Sequence, residues 1–97
     1  MLFIVLATDK PGAAQIRADN RPAHIEYLES FGEAIVAGGA TLSDDGESMT
    51  GRFLLIDVAD RAAADAFAAG DPFAEAGLFE SVEVRRWRKV FFHPPKD

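Results

Sequence analysis

The chain has no cysteine. That excludes a disulfide framework and a thiolate zinc site. Positive charge is scarce as well: ten Lys and Arg stand against sixteen Asp and Glu, a formal net charge of -6. Phosphate-backbone affinity needs a strong local excess of Lys and Arg, so a nucleic-acid partner is not expected. Long hydrophobic runs are missing too. The apolar opening Met1–Ala7 has no basic flank and stops at Thr8-Asp9-Lys10. It has the length of a strand, short of a signal-peptide core and far short of a membrane span, so the expected location is cytoplasmic, with no membrane. Glycines Gly38, Gly39 and Gly46 form neither a P-loop nor a dinucleotide fingerprint, which leaves no nucleotide cofactor to expect. The two histidines, His24 and His93, are too far apart in a cysteine-free chain to give metal-ligand spacing. Neither a metal nor any other cofactor is therefore predicted.

What is present is ordinary globular composition, 48% hydrophobic and 27% charged over 97 residues. That length fits one domain, residues 1–97, at the small end of what builds its own core. A chain this small builds a deep site more easily between two protomers than within one.

Taken in order, Leu2–Thr8 reads as a strand apolar on both faces, closed by Asp9-Lys10-Pro11-Gly12. Residues 12–19 have a short helical character. Pro22 has no amide hydrogen and disfavours helical geometry at Arg21, so the spacing predicts a fresh helix from Pro22 with Asn20 as the better capping residue. His24, Leu28, Phe31 and Ile35 fall on one apolar stripe of that helix, and Gly38-Gly39 is expected to end it. A short strand over 40–43, a turn over 44–48 and a third strand over Gly51–Val58 follow. Asp60 is placed to cap a helix over Arg61–Ala69, and Asp71-Pro72 to open another through Ala76. Phe79–Phe91 completes the pattern as a long fourth strand.

The order β-α-β-β-α-β predicts an α+β, ferredoxin-like protomer: a four-stranded antiparallel sheet with its helices on one face. Strands one and three are apolar on both sides, so the other face needs a cover, and sheet-to-sheet pairing into a homodimer supplies it.

Two residues invite chemistry. His24 heads an otherwise apolar stripe, where a leucine would be cheaper to bury. In the first turn of a helix starting at Pro22, the helix dipole would hold its ring neutral and ready to act as a base. Asp71 reads first as a helix N-cap, and a capping carboxylate can also orient an imidazole with its second oxygen. The basic run Arg85-Arg86-Trp87-Arg88-Lys89 splits its charges between two strand faces, which suits a soluble edge strand better than a nucleic-acid platform.

At these residues the chain resembles the YciI-like (YCII-related) family of the dimeric α/β-barrel superfamily. The resemblance rests on Arg21-Pro22-Ala23-His24 with Tyr27-Leu28, on Gly38-Gly39, on Asp71-Pro72-Phe73 with Ala76-Gly77-Leu78, and on Val82-Glu83-Val84 with Lys89-Val90-Phe91. It implies a ferredoxin-like protomer, a dimer through the sheet faces and a pocket holding a His–Asp pair, which maps onto His24 and Asp71. Gly39-Ala40 departs from the Gly-Pro common in relatives.

The function so implied is a cofactor-free, small-molecule enzyme of the lyase or isomerase type, using His24 and Asp71 for proton transfer in isomerisation, elimination or dehydrochlorination. Arg17, Arg21, Ser43 and Phe73 are the expected substrate contacts. The competing readings are a small-ligand binding or regulatory module without turnover, and an assembly domain with a relic pocket.

Overall fold

The structure, a computed structural model, describes residues 1–96; Asp97, the last residue of the expected domain, lies outside the described residues. The elements run β1 (Leu2–Asp9), α1 (Ala14–Phe31), a 3-10 turn (Gly32–Ala34), β2 (Ile35–Leu42), β3 (Met49–Asp57), α2 (Arg61–Gly70), α3 (Pro72–Glu75) and β4 (Phe79–Arg86). The strands form one sheet in the order β2-β3-β1-β4, every neighbour antiparallel. This is the ferredoxin-like arrangement, with the helices on one face.

Strand alternation decides what each face carries. Phe3 pairs with Ile56 and Val5 with Leu54, and all four are buried beneath the helices. Ala64, Phe67 and Ala68 of α2 close over them, joined by Tyr27, Leu28 and Phe31 of α1. The opposite face carries Ile4, Leu6, Phe53 and Leu55, with Leu6 and Phe53 more than a third exposed.

Three expected boundaries move, each for a physical reason. The first helix does not begin at Pro22: α1 runs unbroken from Ala14, with Pro22 inside it and Ala13, not Asn20, as its N-cap. Ala13, Ile16, Arg17, Asn20, His24, Tyr27, Leu28 and Phe31 are spaced at three and four residues and all lie on the inward side, so one stripe spans both halves. Pro22 is exposed, and so is Ala18, whose carbonyl loses its helical donor; that carbonyl is open to water. Burial of a continuous face outweighs the local break.

The helix also ends early, at Phe31, where Gly32 takes φ 54°. Gly38-Gly39 therefore lies within β2 and terminates nothing. The fourth strand stops at Arg86, short of Phe91. Its pairing with β1 closes at the bond from Trp87 N–H to the Leu2 carbonyl (3.0 Å), and the backbone of Met1 bonds to Val58 instead. Most of the basic run thus lies beyond the sheet, while Arg85 pairs with Glu83 at 2.7 Å.

Candidate functional site

The continuous α1 carries His24 well inside the helix, so the first-turn dipole argument for its neutrality does not hold. Other causes act. The ring is buried and sits among guanidinium groups, and its pKa falls from 6.5 to about 4, through desolvation first and then the charges of Arg52, Arg17 and Arg21. Both causes favour the neutral imidazole.

Asp71 joins α2 to α3 with extended backbone, φ -63° and ψ 129°. Its Oδ1 accepts the Phe73 N–H at 2.8 Å, the N-cap bond that the Asp-Pro pair predicts. The same fully buried carboxylate reaches α1: His24 Nδ1 lies 3.0 Å from both of its oxygens. An ionised carboxylate only accepts, so Nδ1 carries the hydrogen and Nε2 keeps the lone pair. Phe73 lies against the imidazole, centroids 4.0 Å apart and planes 15° from parallel. Capping, orienting and stacking therefore come from one three-residue segment.

A third partner completes this group. Arg52 of β3 is buried, and its Nη1 pairs with Oδ2 of Asp71. Sequence reasoning missed it by counting β3 as apolar on both sides. The available signal was phase: Arg52 lies two residues before Leu54 and four before Ile56, on the strand face that the helices cover.

Beside His24 the structure holds a cavity of about 180 Å³ between α1, β2 and β3. His24, Arg52, Arg17, Arg21 and Phe73 all border it. Its β2 wall is Gly38-Gly39-Ala40, almost devoid of side chains, and a Cβ at Gly38 would run into Leu54 Cδ2. The glycine pair thus keeps space open at the site.

The expected substrate contacts differ in what they are free to do. Arg17 is engaged: Nε and Nη2 donate to Asp9 at 2.8 and 3.0 Å, and Nη2 also to the Gly51 carbonyl at 3.0 Å. Arg21 is exposed at the rim and pairs with no carboxylate among the described residues. Phe73 is wholly buried under the histidine ring. Ser43 does not border the cavity; it closes the 43–48 turn through Asp45 and Ser48. Among the described residues no group of three or more His, Asp or Glu is placed to hold a metal ion, and no helix is long and apolar enough to cross a membrane.

Similarity to known proteins falls into place on this geometry. The YCII-related domain model matches residues 1–88. The chain is 32% identical to Protein YciI of Escherichia coli O6:H1 over 98 residues, covering 94% of this chain and all of that protein. Among solved structures, 5-chloro-2-hydroxyhydroquinone dehydrochlorinase (TftG) of Burkholderia phenoliruptrix AC1100, in complex with 2,5-dihydroxybenzoquinone, matches with a TM-score of 0.84 and 40% identity. That match covers 91% of this chain and 94% of TftG. A Bacteroides thetaiotaomicron protein matches with a TM-score of 0.58 and 13% identity over 100% of this chain and 95% of its own, a likeness of fold alone.

Proposed function

This chain belongs to the YCII-related family, and on that footing we propose that it is a cofactor-free enzyme acting on a small ring compound by proton abstraction and elimination. The observation that carries this reading is the neutral imidazole of His24, fixed through Nδ1 by a buried carboxylate 3.0 Å away and bordering a cavity of about 180 Å³. A dry cavity of about 150 Å³ accepts a benzene ring, so the space matches a single six-membered ring with few substituents.

In this reading His24 Nε2 takes a proton from the ring compound while Asp71 holds the tautomer and supports the imidazolium that forms. A leaving group on the neighbouring carbon departs with its bonding electrons. The sum is loss of HX, with no outside oxidant or reductant. An isomerisation uses the same proton transfer and returns the proton to a different atom. TftG, a dehydrochlorinase, favours the elimination for this chain.

The protein acts in the cytoplasm as a homodimer through the sheet faces, a dimeric α/β barrel with residues 1–97 as one YciI-like domain per protomer. Leu6 and Phe53 are 37% and 39% exposed on the helix-free face, beside Ile4 and Leu55, and such an apolar patch is a contact surface.

A second reading draws on one observation. An imidazole with a pKa of about 4 is a weak base at pH 7, which suits a module that binds its ligand without turnover. Assaying chlorinated and unchlorinated hydroxyhydroquinones with wild type and His24→Ala separates the two. Product from wild type and none from the variant supports the enzyme. A ligand bound by both with no product from either sinks it.

A further inference from the structure

We propose that the cavity selects a ring compound carrying one negative charge, and that it seats the oxyanion on the inner edge of the Arg52 guanidinium. This rests on the reading of the cavity as the substrate site and specifies the substrate's charge class.

The first ground is an incomplete hydrogen-bond inventory. Asp71 occupies one edge of the Arg52 guanidinium through Nη1. Nε, Nη1 and Nη2 are all buried without a hydrogen-bond acceptor among the described residues, and Nη1 alone has an ion-pair partner, Asp71. Phe79, whose ring centroid lies 4.8 Å from Cζ, offers a face and no lone pair. Buried guanidinium donors without acceptors are costly, and they occur where something else supplies the acceptor. Arg52 is a lining residue of the cavity, so that is the nearest space from which a ligand oxygen could approach these donors, given a small shift of the side chain. Bidentate pairing with an oxyanion is the geometry that a guanidinium fork favours.

The second ground is charge. Arg17, Arg21 and Arg52 border the cavity; Asp9 neutralises the first and Asp71 the last. His24 is neutral. One uncompensated positive charge remains, and Arg21 holds it at the rim. Such a site attracts a single negative charge inward and repels a cation.

The two features would also make the base substrate-dependent. After desolvation, the arginine charges lower the His24 pKa, and an anion beside them offsets their effect. Binding therefore strengthens the base just when a proton has to be taken.

The test uses three probes of nearly one shape: benzoate, benzamide and benzamidinium. Calorimetric titration of wild type at low salt should show benzoate binding about tenfold or more tighter than benzamide, the scale of one charge-assisted hydrogen bond, and no binding of benzamidinium. Arg52→Gln should remove that preference, and Arg52→Lys, which keeps a charge and loses the fork, should restore little of it. Where Arg52→Gln does not fold, NMR titration of the His24 ring in wild type decides: benzoate should raise its pKa and benzamide should not. Equal binding of benzoate and benzamide overturns the proposal, and so does a preference that both Arg52 variants retain. The latter would leave water as the only occupant of the fork. Binding needs no turnover, so His24→Ala should keep the benzoate preference whether or not the protein proves to be an enzyme. Turnover of a neutral ring compound with no anion preference would end this inference alone.

Discussion

Arg52 and Asp71 form an ion pair inside the protein, their side chains 2% and 0% exposed. A buried pair of this kind contributes little net stability beyond an apolar pair of equal volume, because desolvation consumes most of the Coulomb gain. Its effect is specific: the carboxylate that orients His24 is already neutralised by a cation. A lone carboxylate would raise the basicity of its imidazole. Burial and then three arginines act in the opposite direction and favour the neutral ring.

Asp71→Asn removes one charge of the pair and leaves Arg52 buried and uncompensated. Asparagine also caps a helix, so the cap itself should cost at most about 1 kcal/mol, whereas breaking a buried pair on one side costs about 3–5 kcal/mol. Chemical denaturation of wild type and variant should give the larger figure. A loss near the smaller one would reduce Asp71 to a cap. Asp71→Asn combined with Arg52→Met should recover a good part of the loss, since the stranded cation is then gone.

Acid should destabilise the protein through His24. In the folded state its pKa is about 4, against 6.5 for a free imidazole side chain, so the unfolded chain binds the proton first as pH falls. The contribution is present above pH 6.5, declines below it, and is gone once pH passes the folded value; its full size is on the order of 3 kcal/mol. Carboxylates titrate in the lower part of this window, so the difference between wild type and His24→Gln is the quantity to follow. Parallel stability curves for the two proteins would mean that the ring is not held neutral.

Activity should respond to the same group differently. If His24 is the base, His24→Ala should lower kcat/KM by about 100-fold to 10,000-fold, the range for a positioned general base. In wild type the acid limb of kcat/KM should lie near the free-enzyme value of about 4. A limb near 6.5 would contradict the buried, arginine-lined environment.

Much of this was legible from residues because the rules concerned are local. Asp71-Pro72 announces an N-cap wherever it occurs, and the helix it opens is there. The β-α-β-β-α-β order follows from runs and breakers. The approach of Asp71 to His24, 47 positions apart, has no local signature and came only through family resemblance. Arg52 went unread because a strand with many apolar residues hides one charge, unless its phase against Leu54 is followed. Ser43 lies off the cavity because a serine beside a strand end bonds into its own turn. Pro22 misled most, since tertiary burial overrode a strong local rule.

Pro22→Ala tests that last point. Proline inside a helix costs about 3 kcal/mol relative to alanine, partly offset because proline also restricts the unfolded chain. Both Pro22 and Ala18 face solvent, so alanine restores a helical hydrogen bond without disturbing packing. The variant should be about 1–2 kcal/mol more stable by thermal or urea unfolding. A less stable variant would mean that the break at Pro22 is needed to aim the segment carrying His24.

Phe53→Lys tests the proposed sheet-face dimer. Phe53 pairs with Leu6 on the helix-free side, and both are more than a third exposed in the isolated chain. A lysine there meets water in a monomer and the partner's apolar surface in a dimer. Burying an unpaired ammonium is costly enough to dissociate a contact of this size. Sedimentation should therefore find wild type as a dimer and Phe53→Lys as a monomer with unchanged circular dichroism. Wild type sedimenting as a monomer at the same concentration would sink the sheet-face dimer. If the variant dissociates but still binds benzoate, the cavity is complete within one protomer; if binding disappears with the dimer, the partner supplies part of its wall.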